Sequence, residues 1–270
     1  MSSRPQSLVT GAASGIGAAL TERLARRGHC VLALDVDADA LHERYADDDA
    51  VVTGVLDVRD AAAWDRTIDA VTSQAGRLDF CFNVAGVVRP GWVPSIAAED
   101  VDLVIDVNLK GVIHGTRAAA RAMAHQGHGH IVNVASLAAL APVPGMALYV
   151  ASKYGVRGFS LAAGHELREL GVFVTTVCPD AVDTPMLDLQ VDNPAAAMTF
   201  SGAAHPLTVD DVVDAIVGRV MTSRPLEIAL PLHRGLLARA GDLAPGVAAR
   251  VEPLLRRRGL RAQRRRQSDA

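Results

Sequence analysis

Short apolar runs alternate along this chain with longer stretches of helical period. Ser7–Thr10, Val31–Asp35, Val51–Leu56, Phe80–Asn83, His130–Ser136 and Val172–Val177 read as strands, and Leu226–Leu230 as a further one. Their near-continuous apolar character suits strands buried on both faces. Gly15–Arg27, Ala61–Ala75, Ala98–Ala124, Leu148–Leu170 and Val209–Met221 read as the helices between them. Repetition of strand, helix and strand predicts an α/β fold with a single doubly wound parallel sheet of about seven strands, covered by helices on both faces. Ligands of such sheets bind beyond the carboxyl ends of the strands. Asn83, Ser136 and Pro179 all follow or close apolar runs and would line that rim. Ile131–Ser152 is uncharged and long enough to raise the question of a membrane span. Asn133, Pro142, Pro144 and Gly145 interrupt it, so it reads as strand, loop and helix start.

Composition supports this picture. Half of the 270 residues are apolar and only 4% are aromatic, so Ala, Val and Leu must build the interior. The chain is long enough for a sizeable core, placed here in residues 1–232, with 233–270 as a C-terminal extension. The net charge of −3 argues against nucleic acid as a main partner. From Arg250 onward, eight Arg face only Glu252 and Asp269, and such a tail is expected to be solvated and frayed. Leu236, Leu237, Leu243, Val247, Val251, Leu254 and Leu255 recur among these Arg residues. A helix of that kind would cover the body or a neighbouring subunit, the preferred reading, or lie on an anionic membrane surface. Cys30, Cys81 and Cys178 are far apart and show neither disulfide nor zinc spacing. Reduced, buried thiols are expected, in keeping with a cytoplasmic protein. Met1–Gln6 lacks the apolar core of a signal peptide.

The candidate chemistry begins after the first strand. Thr10-Gly11-Ala12-Ala13-Ser14-Gly15-Ile16-Gly17 forms a glycine-rich turn that runs into a helix. Glycines let the backbone approach a pyrophosphate, and the helix N-terminus offers unpaired N–H groups. The second strand ends in Asp35, whose carboxylate would accept hydrogen bonds from ribose hydroxyls and repel a 2′-phosphate. Neither Ser14 nor Val36 supplies the cation that a 2′-phosphate needs, so NAD is preferred over NADP. Farther on, Tyr149 and Lys153 stand at i and i+4, one turn apart on a helix, with Ser136 upstream. A fixed ammonium would favour the phenolate and bring the Tyr pKa down toward a useful range. Ser136 would be a second hydrogen-bond partner for the same substrate oxygen.

Together these motifs resemble the short-chain dehydrogenase/reductase family, over about residues 5–232. Thr10–Gly17 resembles its T-G-x-x-x-G-I-G turn, and Asn83-Val84-Ala85-Gly86 resembles N-N-A-G with Val84 in place of the second Asn. Asn108, Ser136, Tyr149 and Lys153 match the family's active-site tetrad. The resemblance implies a Rossmann-type fold and interconversion of a secondary alcohol and a ketone. It implies cofactor contacts from Gly11, Ser14, Gly15, Ile16, Gly17 and Asp35 on one side. Asp57 and Val58 would touch adenine, and Asn83, Ala85 and Gly86 would line the cleft. Tyr149 would be the acid/base and Lys153 would also hold the nicotinamide ribose. Asn108 would hold a water that links Lys153 to solvent. Val182 and Thr184 would meet the nicotinamide carboxamide, and Pro179 would also contact the cofactor. A homotetramer built through Ala98–Ala124 and Leu148–Leu170 is also implied.

One position departs from the pattern. Asp180 stands where the family has Gly, so the loop is expected either to change shape or to place a carboxylate at the substrate pocket. Trp92, Leu137, Val143, Met146, Met186 and Leu187 are the other candidate substrate residues. They would form an adaptable apolar pocket for a steroid, terpenoid or acyl chain, or simply pack a lid onto the body. The cluster His125-Gln126-Gly127-His128-Gly129-His130 invites a metal, but it lies at the end opposite the rim and is expected to be a solvated turn. A redox-silent nucleotide sensor on the same sheet is the alternative function. Such a sensor would typically lose Tyr or Lys, and both are present here.

Overall fold

The computed structural model describes residues 4–202 and 205–269. Met1, Ser2 and Ser3 of the N-terminal stretch, and Ala270 of the tail, lie outside the described residues. In chain order the elements are β1 (Gln6–Thr10), α1 (Gly15–Arg26), β2 (Cys30–Asp35), α2 (Ala38–Tyr45), β3 (Val51–Val55), α3 (Ala61–Ala75) and β4 (Phe80–Asn83). There follow α4 (Ala98–Ile105), a π-helical segment (Asp106–Lys110), α5 (Gly111–Gln126), β5 (Gly129–Val134), α6 (Ala147–Glu166) and β6 (Val172–Pro179). The last part holds α7 (Pro185–Asp188), α8 (Val209–Asp214), α9 (Met221–Ser223), β7 (Glu227–Leu230), α10 (Leu232–Leu243) and α11 (Pro245–Asp269).

The strands form one seven-stranded parallel sheet in the order β3-β2-β1-β4-β5-β6-β7. Side-chain alternation along each strand divides the core in two. Val9 and Phe82 face Leu20 and Leu24 of α1 and Ile216 on the far side of the same layer. Leu8 and Cys81 face the other way, onto Trp64 and Ile68 of α3 and Met123 of α5. Strand order reverses between β1 and β4, and the loops that leave these two strands open the crevice where a ligand can enter. Ile131–Ser152 resolves into β5, a loop and the start of α6. Among the described residues no helix is long and apolar enough to cross a membrane.

Three local features differ from the sequence expectations. Helix α2 was not foreseen, because only Leu41 and Tyr45 of its eight residues are buried and they set no periodic pattern. Its start is marked by Asp37, whose carboxylate accepts from Ala40 N at 3.0 Å and so caps the helix. The helix expected over Ala98–Ala124 is interrupted by the π segment, which a hydrophobic pattern does not reveal. The C-terminal tail is helical and docked, not frayed. Its inward face carries Gln263, which donates to Gln190 O at 3.0 Å and Asn193 O at 2.9 Å. Cys81 and Cys178 are buried free thiols as expected, whereas Cys30 is half-exposed.

The histidine cluster is not one solvated turn. His125 and His128 are exposed, but His130 is buried in β5, with its Nε2 2.9 Å from Thr175 Oγ1. Burial, helped by nearby Arg224, lowers its pKa from 6.5 to about 4. The unfolded chain therefore takes up a proton that the fold refuses. Stability is full above pH 6.5 and is lost as pH falls toward 4, by about 3 kcal/mol at most. The urea midpoint is expected to fall across that window in the native protein and to fall less steeply in His130→Gln.

Candidate active site

The glycine turn owes its shape to three close approaches. Gly11 has φ +69, and a Cβ there would lie 2.9 Å from Ala85 Cα. A Cβ on Gly17 would lie 2.0 Å from Gly11 O. Gly15, with φ +54, turns the chain into α1 beside Thr184. Ser14 precedes α1 without capping it through its side chain, so N–H groups of the first turn remain available to a phosphate. Thr10 ties this turn to the loop after β4, since its Oγ1 accepts from Val84 N at 3.0 Å and Ala85 N at 3.2 Å. Asp35 at the end of β2 accepts from Ala13 N at 3.0 Å and Val36 N at 2.8 Å. Oδ1 also accepts from Asp37 N at 3.3 Å, and Oδ2, with Ala13 N alone, keeps a lone pair for a ribose hydroxyl. A cradle of glycines, an open helix N-terminus and a carboxylate at the neighbouring strand end fit a dinucleotide.

Asp57 lies just past β3, where Arg59 grips it through Nε at 2.9 Å and Nη2 at 2.6 Å. That contact holds the Asp57 carboxyl below its usual range and leaves it less available to adenine than the family resemblance implies. Val58 uses its carbonyl to accept from Trp64 Nε1 at 3.1 Å. Asn83 differs from expectation. Its side chain turns inward, donating to Asn133 Oδ1 at 2.7 Å in a network with Thr116, rather than into the cleft. Gly86 does reach the crevice, whereas Ala85 lies against Gly11 of the turn. A Cβ on Gly86 would lie 3.3 Å from Asn108 Oδ1 and 3.7 Å from Lys153 Nζ.

Asn108 sits in the π segment and is fully buried. Its Oδ1 accepts from Val87 N at 2.7 Å, and its Nδ2 donates to Val87 O at 2.9 Å and Ser152 Oγ at 3.1 Å. The side chain thus pins the β4 loop to α6 at Ser152, the residue before Lys153 and three after Tyr149. Ser136 follows β5, where its Oγ accepts from Ala138 N at 3.1 Å. Tyr149 and Lys153 rise from the first turns of α6, with the Lys153 ammonium 5.6 Å from the Tyr149 ring centre. Lys153 is buried and donates to Val134 O at 3.0 Å.

The electrostatics reverse one expectation. Burial pushes the Tyr149 phenol up to about 12, while the Ser136 hydroxyl pulls the other way. Burial likewise lowers Lys153 to about 8. In the chain alone, desolvation outweighs any lowering of the phenol by the ammonium.

Tyr149 and Ser136 face a cavity of about 980 Å³. Every candidate substrate residue lines it: Trp92, Leu137, Val143, Met146, Met186 and Leu187, together with Asp180. Ile16, Pro179, Val182 and Thr184 border it on the cofactor side. Asp180 does not force a left-handed turn, since Arg224 alone among the described non-glycine residues has positive φ. Its carboxylate instead accepts from Arg234 Nε of α10 at 2.8 Å. The position that lost the family Gly therefore clamps the C-terminal extension to the end of β6. The pair is largely sheltered, and a double-mutant cycle with Asp180→Gly and Arg234→Met is expected to show a coupling of about 1 kcal/mol in thermal unfolding.

Arg234 and the roof from α10 and α11 were not foreseen as cavity residues. No local motif marks them. Their one trace in the sequence is small residues at close approaches. A Cβ on Gly235 would lie 2.2 Å from Ala229 Cβ, and one on Gly259 would lie 1.8 Å from Ala197 O. The Arg256 guanidinium stacks 4.6 Å over the Trp92 ring and joins α11 to the loop after β4.

Sheet order, glycine turn and strand-end carboxylate define a dinucleotide-binding protein of the Rossmann type. Residues 6–194 match the family described as short chain dehydrogenase, and the chain belongs to the short-chain dehydrogenase/reductase family. It is 33% identical over 239 residues to a probable oxidoreductase, EphD, of Mycobacterium tuberculosis, which matches 83% of this chain and 40% of that protein. The chain thus spans less than half of that relative's length. It is 41% identical over 185 residues to a putative ketoacyl reductase of monensin polyketide synthesis from Streptomyces virginiae, across 66% of this chain and 71% of the other. Among solved structures, a Burkholderia phymatum short chain dehydrogenase/reductase in complex with NAD superposes with a TM-score of 0.80 at 28% identity. That match covers 91% of this chain and 95% of the other. A levodione reductase superposes with a TM-score of 0.78 at 26% identity, covering 86% and 98%.

Proposed function

We propose that this protein is an NAD(H)-dependent oxidoreductase that interconverts an apolar secondary alcohol and its ketone. The observation that carries the reading is the Tyr149 phenol, flanked by Ser136 and Lys153, on the wall of a large and mostly apolar cavity that adjoins the glycine turn. When bound, the nicotinamide cofactor supplies or accepts the hydride. The chain's own groups handle position and the proton. Ser136 orients the substrate oxygen, and Tyr149 gives that oxygen a proton or takes one from it. Lys153 holds charge beside the phenol and offers a donor to the cofactor ribose. Asn108 fixes the loop and helix that carry these groups. Asp35 favours NAD, because a 2′-phosphate would meet its carboxylate with no cation in reply. The relative solved with NAD and the keto substrates named for other relatives support the same reading.

A phenol at about 12 keeps its proton at neutral pH, the state that ketone reduction needs. Alcohol oxidation needs the phenolate, so its rate is expected to climb through the alkaline range while reduction does not. The test is a panel of ketones and alcohols, from steroids and terpenoids to sugars, followed by NADH and NADPH absorbance. Faster turnover of polar sugars would refute the apolar pocket, preference for NADPH would refute the role of Asp35, and no turnover of any member would favour the nucleotide sensor. A homotetramer through α4, α5 and α6 belongs to the same proposal. Light scattering would show a particle of four 28.3 kDa chains.

A further inference from the structure

Helix α11 has two faces with different tasks. Gly259, Gln263 and Arg266 point inward, and Arg266 engages Asp188 at 2.8 Å as well as Asp183. The opposite face carries Arg250, Arg257, Arg258, Arg261, Arg264 and Arg265, all exposed. Steps of three and four residues put these six guanidinium groups on one side. Of the nearby carboxylates, Asp242 is engaged by Tyr154 at 2.7 Å and Glu227 by Arg157 and Arg239, and Glu252 of α11 is half-buried and lines the cavity.

Apolar side chains stand out from the same surface. Leu243 is 87% exposed, Leu254 69% and Val247 60%. Val247, Val251 and Leu237 are exposed and also line the substrate cavity, so the cavity meets solvent here. Guanidinium groups beside protruding leucines match a surface that offers phosphates outside and acyl chains just beneath. A free polyanion would match only the first, and the remaining body carries the excess of negative charge.

We infer that the outer face of α11, with the end of α10, docks on an anionic lipid bilayer and sets the cavity mouth against it. Docking is peripheral, since no described helix is long and apolar enough to span. The inference stands on the outer face and does not need the substrate reading.

The test is sedimentation of the full chain with vesicles of phosphatidylcholine alone and of phosphatidylcholine mixed with phosphatidylglycerol. Binding is expected to the mixed vesicles only, with release at high salt. The triple variant Arg257→Glu, Arg258→Glu, Arg261→Glu is expected to lower the partition coefficient at least about 100-fold. Leu243→Asp with Leu254→Asp is expected to weaken binding through the apolar anchors instead. Both variants should keep the native melting temperature and the native NADH affinity, which separates lost docking from lost folding. Equal binding to both vesicle types, binding to neither, or undiminished binding of the triple variant overturns the inference. So does Arg-dependent binding of a purified acidic carrier protein in the absence of any vesicle binding.

Discussion

Tyr149→Phe is expected to lower turnover by roughly 10²- to 10⁴-fold, the usual worth of a positioned acid or base. The substitution removes one oxygen and leaves the ring, so the cavity wall and the packing of α6 are retained. Lys153 keeps its hydrogen bond to Val134 O, and the glycine turn lies on another loop. NADH should therefore bind within a few-fold of the native protein. Fluorescence titration of NADH beside steady-state turnover separates the two effects. Turnover near the native value would remove Tyr149 from the chemistry, and loss of NADH binding would make its role structural.

A second large effect is expected at Gly259, far from the tetrad in sequence. Here α11 crosses the segment Pro194–Ser201, and a Cβ would lie 1.8 Å from Ala197 O. A backbone carbonyl cannot swing aside as a side chain can, so Gly259→Val must push the helix off the lid. Overpacking of this kind costs about 1–3 kcal/mol, which corresponds to roughly 5- to 150-fold in the population of the seated roof. KM for an apolar substrate should rise within that range while NADH affinity stays unchanged. Unaltered KM would show that α11 does not shape the pocket.

These two sites differ in how they could be found. Tyr149 and Lys153 share a helix face because of their spacing, and the glycine turn and Asp35 follow short apolar runs. Such features are local, and the chain displays them directly. Asn108 was legible as a residue but not as the centre of a π segment. What holds its side chain there are partners from other elements, Val87 and Ser152. His130 reads both as the end of a polar cluster and as the start of an apolar run, and pairing of β5 with β4 and β6 settled it inside the sheet. Asn83 stood in a cofactor motif, and pairing of β4 with β5 turned its side chain to Asn133 instead.

The sequence by itself determined the parallel sheet and the nucleotide turn, and it picked out Asp35 and Tyr149 as the residues on which the proposed cofactor preference and proton transfer rest. Each rests on periodicity or on residues a few positions apart. Only the tertiary structure decided what lies over the tetrad. It paired Asp180 with Arg234, laid α11 across the lid at Gly259, and raised the Tyr149 phenol by burial. Those outcomes depend on which distant surfaces meet and on how much water they exclude, and neither quantity is written in any short stretch of the chain.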